Sequence, residues 1–575
     1  MTQNARAGWT VDPGSGNNRP AAIPAPCSLH PVRLRSVERR AVILPVVLMV
    51  LLLLGLLCAI FAFRVNADLS STRAISFRLQ TRLAAEAGIE RVKLLLRESK
   101  FDVDSWYNNP DELHRIVVWV EDFDYTELGT YEEYDGGVMA YRFSIVADDP
   151  TDDEERIRIG ITDEAAKLNL NTATEHQLQI LVRVAVGEDT EEINPQDIVD
   201  AILDWRDKDG NPRREDAGTE GDYYRRLPQP YRVKNGDFDT VEELLLVKGV
   251  TGQILYGEDF DRNGLLTPNE DGVLNRGLYP YLTVLSQESN VSNNNRERAY
   301  LYGEEAKLRA ELELAFPEDP DVVEFVVSAT RKKGDGSNGS DNTGKRDQNP
   351  GPSGNKADKS NQKSGAGEDD PRGGVDEEDE GNESPETASP GGLESDDGKG
   401  TSAPMPSVAS LLKDQLVGET MQPSPVTIEH LPTLLDRTST VPPDQKTIPG
   451  LININTAPRR VLRCIDGLSP EQIDAIIEVR ERLGPVDKET TAWLLMEEVV
   501  DLDTFERIAP QVTARGQQFT IESLGYADHL GMVTRLQVVV DAVGPIVQTL
   551  YYRDLTYLGS RFPIREEDME RIRVR

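Results

Sequence analysis

The chain has 575 residues, with 63 Lys and Arg against 100 Asp and Glu, a formal net charge of −37. That balance excludes a phosphate-backbone binder, because such binding is driven by basic side chains releasing counterions, and the length calls for two to four folded units. The three cysteines, Cys27, Cys58 and Cys464, fall before, inside and after one apolar run, so the part beyond that run has no intrachain disulfide framework.

Residues 1–41 form a basic leader, unstructured at least to residue 32, with Arg33, Arg35, Arg39 and Arg40 near its end. Residues 41–63 (AVILPVVLMVLLLLGLLCAIFAF) carry no charge, long enough to span a hydrocarbon core of roughly 30 Å. We assign 42–63 as a transmembrane helix with its N-terminus in the cytoplasm, by the positive-inside rule. No small-x-small cleavage site follows. The sequence continues as helix over 64–100, with Leu79, Leu83, Ala87 and Val92 near helical spacing.

A basic leader, a small residue and then a long apolar helix resemble the N-terminus of type IV pilin-like proteins. The resemblance implies cleavage by a prepilin peptidase between Ala41 and Val42. Family members normally carry glycine before the cut and glutamate five residues after it; this chain has Ala41 and Val46. The missing glutamate and the stretch RLAAEAGIERV (82–92) resemble the K-type minor pseudopilins of type II secretion systems. A plain signal anchor is the alternative reading of this segment.

Strand-length apolar or alternating runs follow at 114–120, 138–147 and 156–161, and again at 518–527, 535–543 and 546–558. We read 101–165 and 513–575 as two parts of one antiparallel-sheet domain, an α+β fold interrupted by helices. The interruption contains a repeat. Leu168-Asn169-Leu170-Asn171-Thr172-Ala173 matches Ile452-Asn453-Ile454-Asn455-Thr456-Ala457, and the helix Asp200–Arg206 matches Asp474–Arg480. Asn194-Pro195 and Ser469-Pro470 read as helix starts, and Ser469 with Gln472 and Thr172 with Glu175 fit reciprocal capping. Two small helical modules, 166–327 and 426–512, are therefore expected. Between them, 331–400 has no aromatic residue, one Val and one Leu, a composition that cannot bury enough apolar surface to offset chain entropy. We take 328–425 as a disordered acidic insert.

The order NLNTA, DWRDKDG, GDYY, EELLLVKG and a second NINTA extends the resemblance to the K-type minor pseudopilins over most of the chain. It implies a pilin-like α+β domain interrupted by a helical domain with two helix-hairpin-helix or SAM-like modules. It also implies a non-enzymatic role at the tip of a secretion pseudopilus and in starting its assembly for export of folded proteins. The partners implied are I- and J-type minor pseudopilins, the inner-membrane assembly platform and prepilin peptidase, with the chain crossing the inner membrane once and its bulk in the periplasm. Two alternatives stand beside this one: a helix-hairpin-helix DNA-uptake receptor and a minor pilin of a type IV pilus. The hairpin glycines needed for phosphate binding are incomplete at Gly467-Leu468-Ser469 and Gly249-Val250-Thr251.

Calcium is the expected cofactor. Asp259, Asp261, Asn263, Leu265, Thr267 and Glu270 fall at positions 1, 3, 5, 7, 9 and 12 of a calcium loop, with Gly264 at position 6. A second acidic loop runs from Asp204 to Asp222. The family resemblance implies calcium there too, with Asp207, Asp209, Glu220 and Asp222 as candidate ligands. The five histidines, His30, His114, His176, His430 and His529, lie in no metal-ligand or nucleophile pattern, and no strained Gly-x-Ser-x-Gly turn is present.

Overall fold

The structure is a computed structural model. It describes residues 43–121, 139–148, 157–186, 194–214, 221–257, 259, 277–330, 405, 407–417, 420–527, 531–544 and 546–562. The chain divides into two units, Met1–Arg73 and Ala74–Arg575. The described part of the first unit is all helix. It belongs to α1 (Ile43–Ser99), among the described residues the one helix long and apolar enough to cross a membrane. Pro45 is tolerated because it falls in the first turn, where backbone N–H groups have no intrahelical acceptor.

In the second unit, α2 (Val103–Trp106) and α3 (Pro110–Leu113) lead into β1 (Ile116–Glu121), β2 (Met139–Asp148), β3 (Ile157–Ile159) and β4 (Thr162–Asp163). The first repeat follows as β5 (Leu168–Asn169), α4 (Glu175–Val186), α5 (Pro195–Arg206), α6 (Gly221–Arg225), α7 (Gly252–Tyr256) and β6 (Leu282–Thr283). A third helical region comprises β7 (Gln287–Ser289), β8 (Ala299–Tyr300), α8 (Glu305–Ala315), α9 (Pro320–Thr330), β9 (Gln415–Val417), β10 (Thr420–Gln422), α10 (Leu431–Arg437), β11 (Thr438–Ser439) and β12 (Thr447–Pro449). The second repeat is β13 (Ile452–Asn453), α11 (Arg459–Leu462), α12 (Pro470–Arg482), α13 (Trp493–Met496), α14 (Leu502–Ile508) and β14 (Val512–Thr513). The chain then returns to the sheet as β15 (Gln518–Ala527), β16 (Val533–Asp541) and β17 (Gln548–Asp554).

The main sheet runs β1-β2-β15-β16-β17, with β3 on β2 and β4 on β15. Every pairing in it is antiparallel. β2 and β15 are neighbours, Ile145 opposite Ser523, and β4 also pairs with β15, so everything between β4 and β15 is an excursion that leaves and rejoins at one place. α1 covers one face of the sheet. Its residues Ala85, Ile89, Val92 and Leu96 share a core with Phe143, Ile145, Phe519, Ile521, Leu536, Val538 and Val540. Each large apolar side chain buried there contributes roughly 1.5–3 kcal/mol. The buried stripe is only partly the one the sequence spacing suggested. Val92 is fully buried and Ala87 half-buried, but Leu79 and Leu83 are 55% and 46% exposed, whereas Ala84 and Ala85 are fully buried.

Two glycines set how close α1 lies. A Cβ on Gly525 of β15 would stand 2.0 Å from the Thr81 carbonyl oxygen, and one on Gly88 would stand 2.6 Å from Ser523 Oγ. In the space they leave, Ser523 Oγ donates to the Ala85 carbonyl at 2.8 Å, and the Thr81 and Thr534 hydroxyls bond at 2.8 Å.

The insert is narrower than 328–425. Residues 328–330 finish α9, and residues 407–417 and 420–425 are structured. Val322, Phe325 and Val326 of α9 share a core with Val408, Leu411 and Val426 from the far side of the insert, and the Met405 N–H donates to Tyr302 Oη at 2.5 Å. Both ends of the insert are thus fixed to one small core. Replacing 331–404 by a short flexible linker is expected to leave thermal stability unchanged or raise it, by up to ~2 kcal/mol from the lower loop-closure entropy. Melting curves of the full chain and the deletion check this; a large loss of stability contradicts it.

Candidate functional site

The repeat seen in the sequence recurs atom by atom. β5 pairs with β6 and β13 with β14, both parallel over two residues. In each copy an asparagine folds the next turn onto its own side chain: Asn171 N donates to Asn169 Oδ1 at 2.9 Å, and Asn455 N donates to Asn453 Oδ1 at 3.0 Å. An arginine in the last turn of the second helix of each copy, α5 or α12, then grips that turn. Arg206 donates to the carbonyls of Leu170 and Ala173, and Arg480 to those of Ile454 and Ala457. Desolvation lowers the pKa of both guanidiniums; they remain charged, because arginine does not titrate in proteins. Each copy also has a buried glutamate bonded by the threonine of the closing strand, Glu164 by Thr283 and Glu288 by Thr513.

Helix capping follows the sequence in two places and departs from it in one. Asn194 caps α5 through the Gln196 N–H, and Ser469 forms a reciprocal box with Gln472 at α12. At α4 the box is made by Thr174 and Gln177, at 3.2 and 2.9 Å, and not by Thr172 and Glu175. Thr172 is already used in the turn, against Gly450, where a Cβ would lie 1.9 Å from its hydroxyl. Both hairpins, at Gly249 and Gly467, have their glycine at positive φ, 84° and 106°. The third hairpin residue, Thr251 or Ser469, caps α7 or α12. The position where a second glycine would admit a phosphate is therefore occupied by a capping side chain.

The acidic loop begins where α5 ends. Asp204 is fully buried and accepts the Arg213 N–H at 3.1 Å. Asp209 Oδ1 accepts the Asn211 N–H at 2.8 Å. Asp207 lies between these two carboxylates. Burial first, then the charges of Asp209 and Asp204, push its carboxyl up to about 6. Its Oδ1 is buried with no hydrogen-bond partner among the described residues. Asn235 packs on the same loop, donating to the Asp209 carbonyl, and its Oδ1 is likewise buried without a partner. Two unpartnered oxygens beside clustered carboxylates fit a hard cation that takes oxygen ligands. The sequence reading missed Asn235, although Asn235-Gly236 is a turn signal and Asn235 has φ 48°.

The other candidates fall apart from this cluster or outside the described residues. Asp222, in α6, faces solvent and pairs with Arg225 at 3.1 Å. Asp259 is 7% exposed, and its charge helps raise the pKa of Arg561. Glu220, Asp261, Asn263, Leu265, Thr267, Glu270, Ala41 and Val42 lie outside the described residues. Among the described residues, no group of three or more His, Cys, Asp or Glu side chains is arranged to hold a metal ion. Trp205 and Tyr223 are packing residues: Trp205 is 2% exposed, donates to Glu243 Oε1 at 2.9 Å and meets Tyr224 edge-on, and Tyr223 packs against the same core.

Residues 166–256, which hold the first repeat up to α7 and the acidic loop, match the family model described as type II secretion system (T2SS), protein K. A comparison with curated proteins found no match. Among solved structures, a chain of the GspK-GspI-GspJ complex from the type 2 secretion system of enterotoxigenic Escherichia coli is similar over 85% of this chain and 99% of that one, at 11% identity and a TM-score of 0.34. At that score the likeness carries no argument by itself.

Proposed function

We propose, from the match of residues 166–256 to the family model described as type II secretion system protein K, that the chain is a minor pseudopilin of such a system. In this reading it is anchored once in the inner membrane by α1, with its bulk in the periplasm. It caps the pseudopilus tip and helps start assembly for export of folded proteins. The observation that carries the reading is the family match of the first repeat. Support comes from the charge-free start of α1 and from a sheet seated on the same helix. The proposed partners are I- and J-type minor pseudopilins, the assembly platform, and a prepilin peptidase cutting between Ala41 and Val42.

Val46 supports placement at the tip. In pilin-like filaments a carboxylate at that position neutralises the buried amine of a neighbouring subunit, and an amine in an apolar bundle is costly without one. A subunit with Val46 supplies no such carboxylate and is tolerated where no earlier subunit needs it. The two repeats and the α8–α9 region add bulk that hinders stacking along a shaft.

Calcium is the proposed cofactor, structural in role, held in the 204–222 loop by Asp207 and Asp209, with Glu220 and Asp222 as further candidates and Asn235 Oδ1 added by the geometry. The 259–270 loop is a second proposed site. Extracellular calcium modules bind at roughly 10⁻⁴–10⁻³ M, so millimolar calcium is expected to stabilise the full chain in detergent by about 1–2 kcal/mol over chelator. Asp207→Asn should lose part of that gain; identical melting with calcium and with chelator contradicts both sites.

The role itself is tested by deletion in the source cell. Loss of the chain is expected to leave folded exoproteins in the periplasm, and the intact chain to restore their export. Normal export by the deletion strain contradicts the proposed function.

A further inference from the structure

The carboxylate of Asp163 is 1% exposed, and no cation pairs with it among the described residues. Its Oδ2 accepts Asn453 Nδ2 at 2.7 Å and the Thr456 hydroxyl at 2.8 Å, and its Oδ1 accepts the Ala165 N–H at 2.9 Å. A Cβ on Gly516 would lie 2.6 Å from Oδ1, so that backbone also closes over it. Asp163 ends β4, which pairs with β15 opposite Phe519. Asn453 and Thr456 belong to the turn of the second repeat. One side chain therefore joins the main sheet to the second module.

The charged groups around this joint are committed elsewhere. Glu164, next in the chain, pairs with Lys167 at 2.7 Å and accepts the Thr520 hydroxyl at 2.6 Å. From the link between β14 and β15, Arg515 pairs with Asp436 at 2.6 Å and faces Glu288. From the second module, Arg480 grips its own turn, and Lys488 pairs with Asp104 at 3.3 Å. Among these, Glu164 is the charge that acts on Asp163, and it has the same sign.

A lone buried charge with only neutral donors is costly, whereas the neutral acid is not. We propose that Asp163 makes the sheet-to-module junction an acid-tightened joint, which takes up a proton from solvent and holds the second repeat more firmly as its surroundings acidify. The Thr456 hydroxyl can reverse its role and accept from the protonated acid, while Asn453 and Ala165 continue to donate. Burial outweighs the three hydrogen bonds and pushes the carboxyl up to about 6. With the folded value raised above the ordinary aspartate value of about 4, the extra stability is fully present below about pH 4 and is lost as pH rises through about 6.

The test is hydrogen exchange of the full chain in detergent, read at segments 162–166 and 452–457 and corrected for intrinsic rates. Protection at both segments should fall by about tenfold between pH 5 and pH 7.5. Asp163→Asn should flatten that change to less than about twofold. The Thr456 bond is stronger to the charged form than to the neutral acid, because it is charge-assisted there, so Thr456→Val should move the midpoint to higher pH; this arm decides the matter if Asp163→Asn does not fold. Protection independent of pH in the unmutated chain, full pH dependence in Asp163→Asn, or a downward midpoint in Thr456→Val would each overturn the proposal.

Discussion

The closeness of α1 to β15 governs the architecture of Ala74–Arg575. Gly525 lets the strand approach the helix backbone at Thr81 and Ala85, and Gly88 lets the helix approach Ser523 and Phe143. A helix seated on the central strand of a sheet must be met by strands on both sides, and here those strands come from opposite ends of the chain. β2 lies on one side of β15 and β16 on the other. The long helical excursion is possible because β4 and β15, paired in the sheet, fix its two ends side by side.

The excursion is held by buried polar contacts as well as by its apolar core. The two repeats share one core, from Leu168 through Leu178 and Trp205 to Ile452, Leu462 and Trp493. Within each copy, an arginine satisfies carbonyls that the turn would otherwise leave bare, and buried carbonyls without partners are expensive. Between the copies and the sheet, the links are carboxylates with several donors each: Glu164, Glu288 and Asp163. Glu164 and Glu288 lie opposite cations, and those charges with their hydrogen bonds outweigh burial and lower their pKa values. Asp163 has no such partner and moves the other way. The sheet is thereby tied to the repeats by polar joints of unequal strength.

Much of this could be read from the residues, for local reasons. A charge-free run followed by a proline-free stretch specifies a helix whatever it packs on, and α1 ends at Ser99 against an expected end at residue 100. β15 falls where alternation placed it, at 518–527. The repeat was legible because its turn needs particular side chains: Asn169 and Asn453 to fold back, Arg206 and Arg480 to reach the carbonyls. What could not be read depends on contacts distant in sequence. Leu79 and Leu83 look like a core stripe, yet the glycines of β15 and α1 decide which face is seated, and Ala84, Ala85 and Gly88 win. Thr172 fits a capping pattern, but its hydroxyl lies against the Gly450 backbone, and Thr174 caps the helix with Gln177. The acidic loop was legible as acidic; that Asp207 and Asn235 each leave a buried oxygen unpartnered is a property of the folded loop.

The most direct test of the central constraint is a single methyl group. In Gly525→Ala, the new Cβ would meet backbone atoms of α1, the Thr81 oxygen at 2.0 Å and the Ala85 nitrogen at 2.4 Å, with no flexible side chain to give way. Denaturant unfolding of the full chain in detergent should show a loss of at least about 2–3 kcal/mol, the scale of an overpacked core. Gly531→Ala, where a Cβ meets nothing within 4 Å but φ is +63°, controls for backbone effects and should cost about 1 kcal/mol. Unfolding of Gly525→Ala at the midpoint of the unmutated chain would show that helix and sheet are not seated on each other as described.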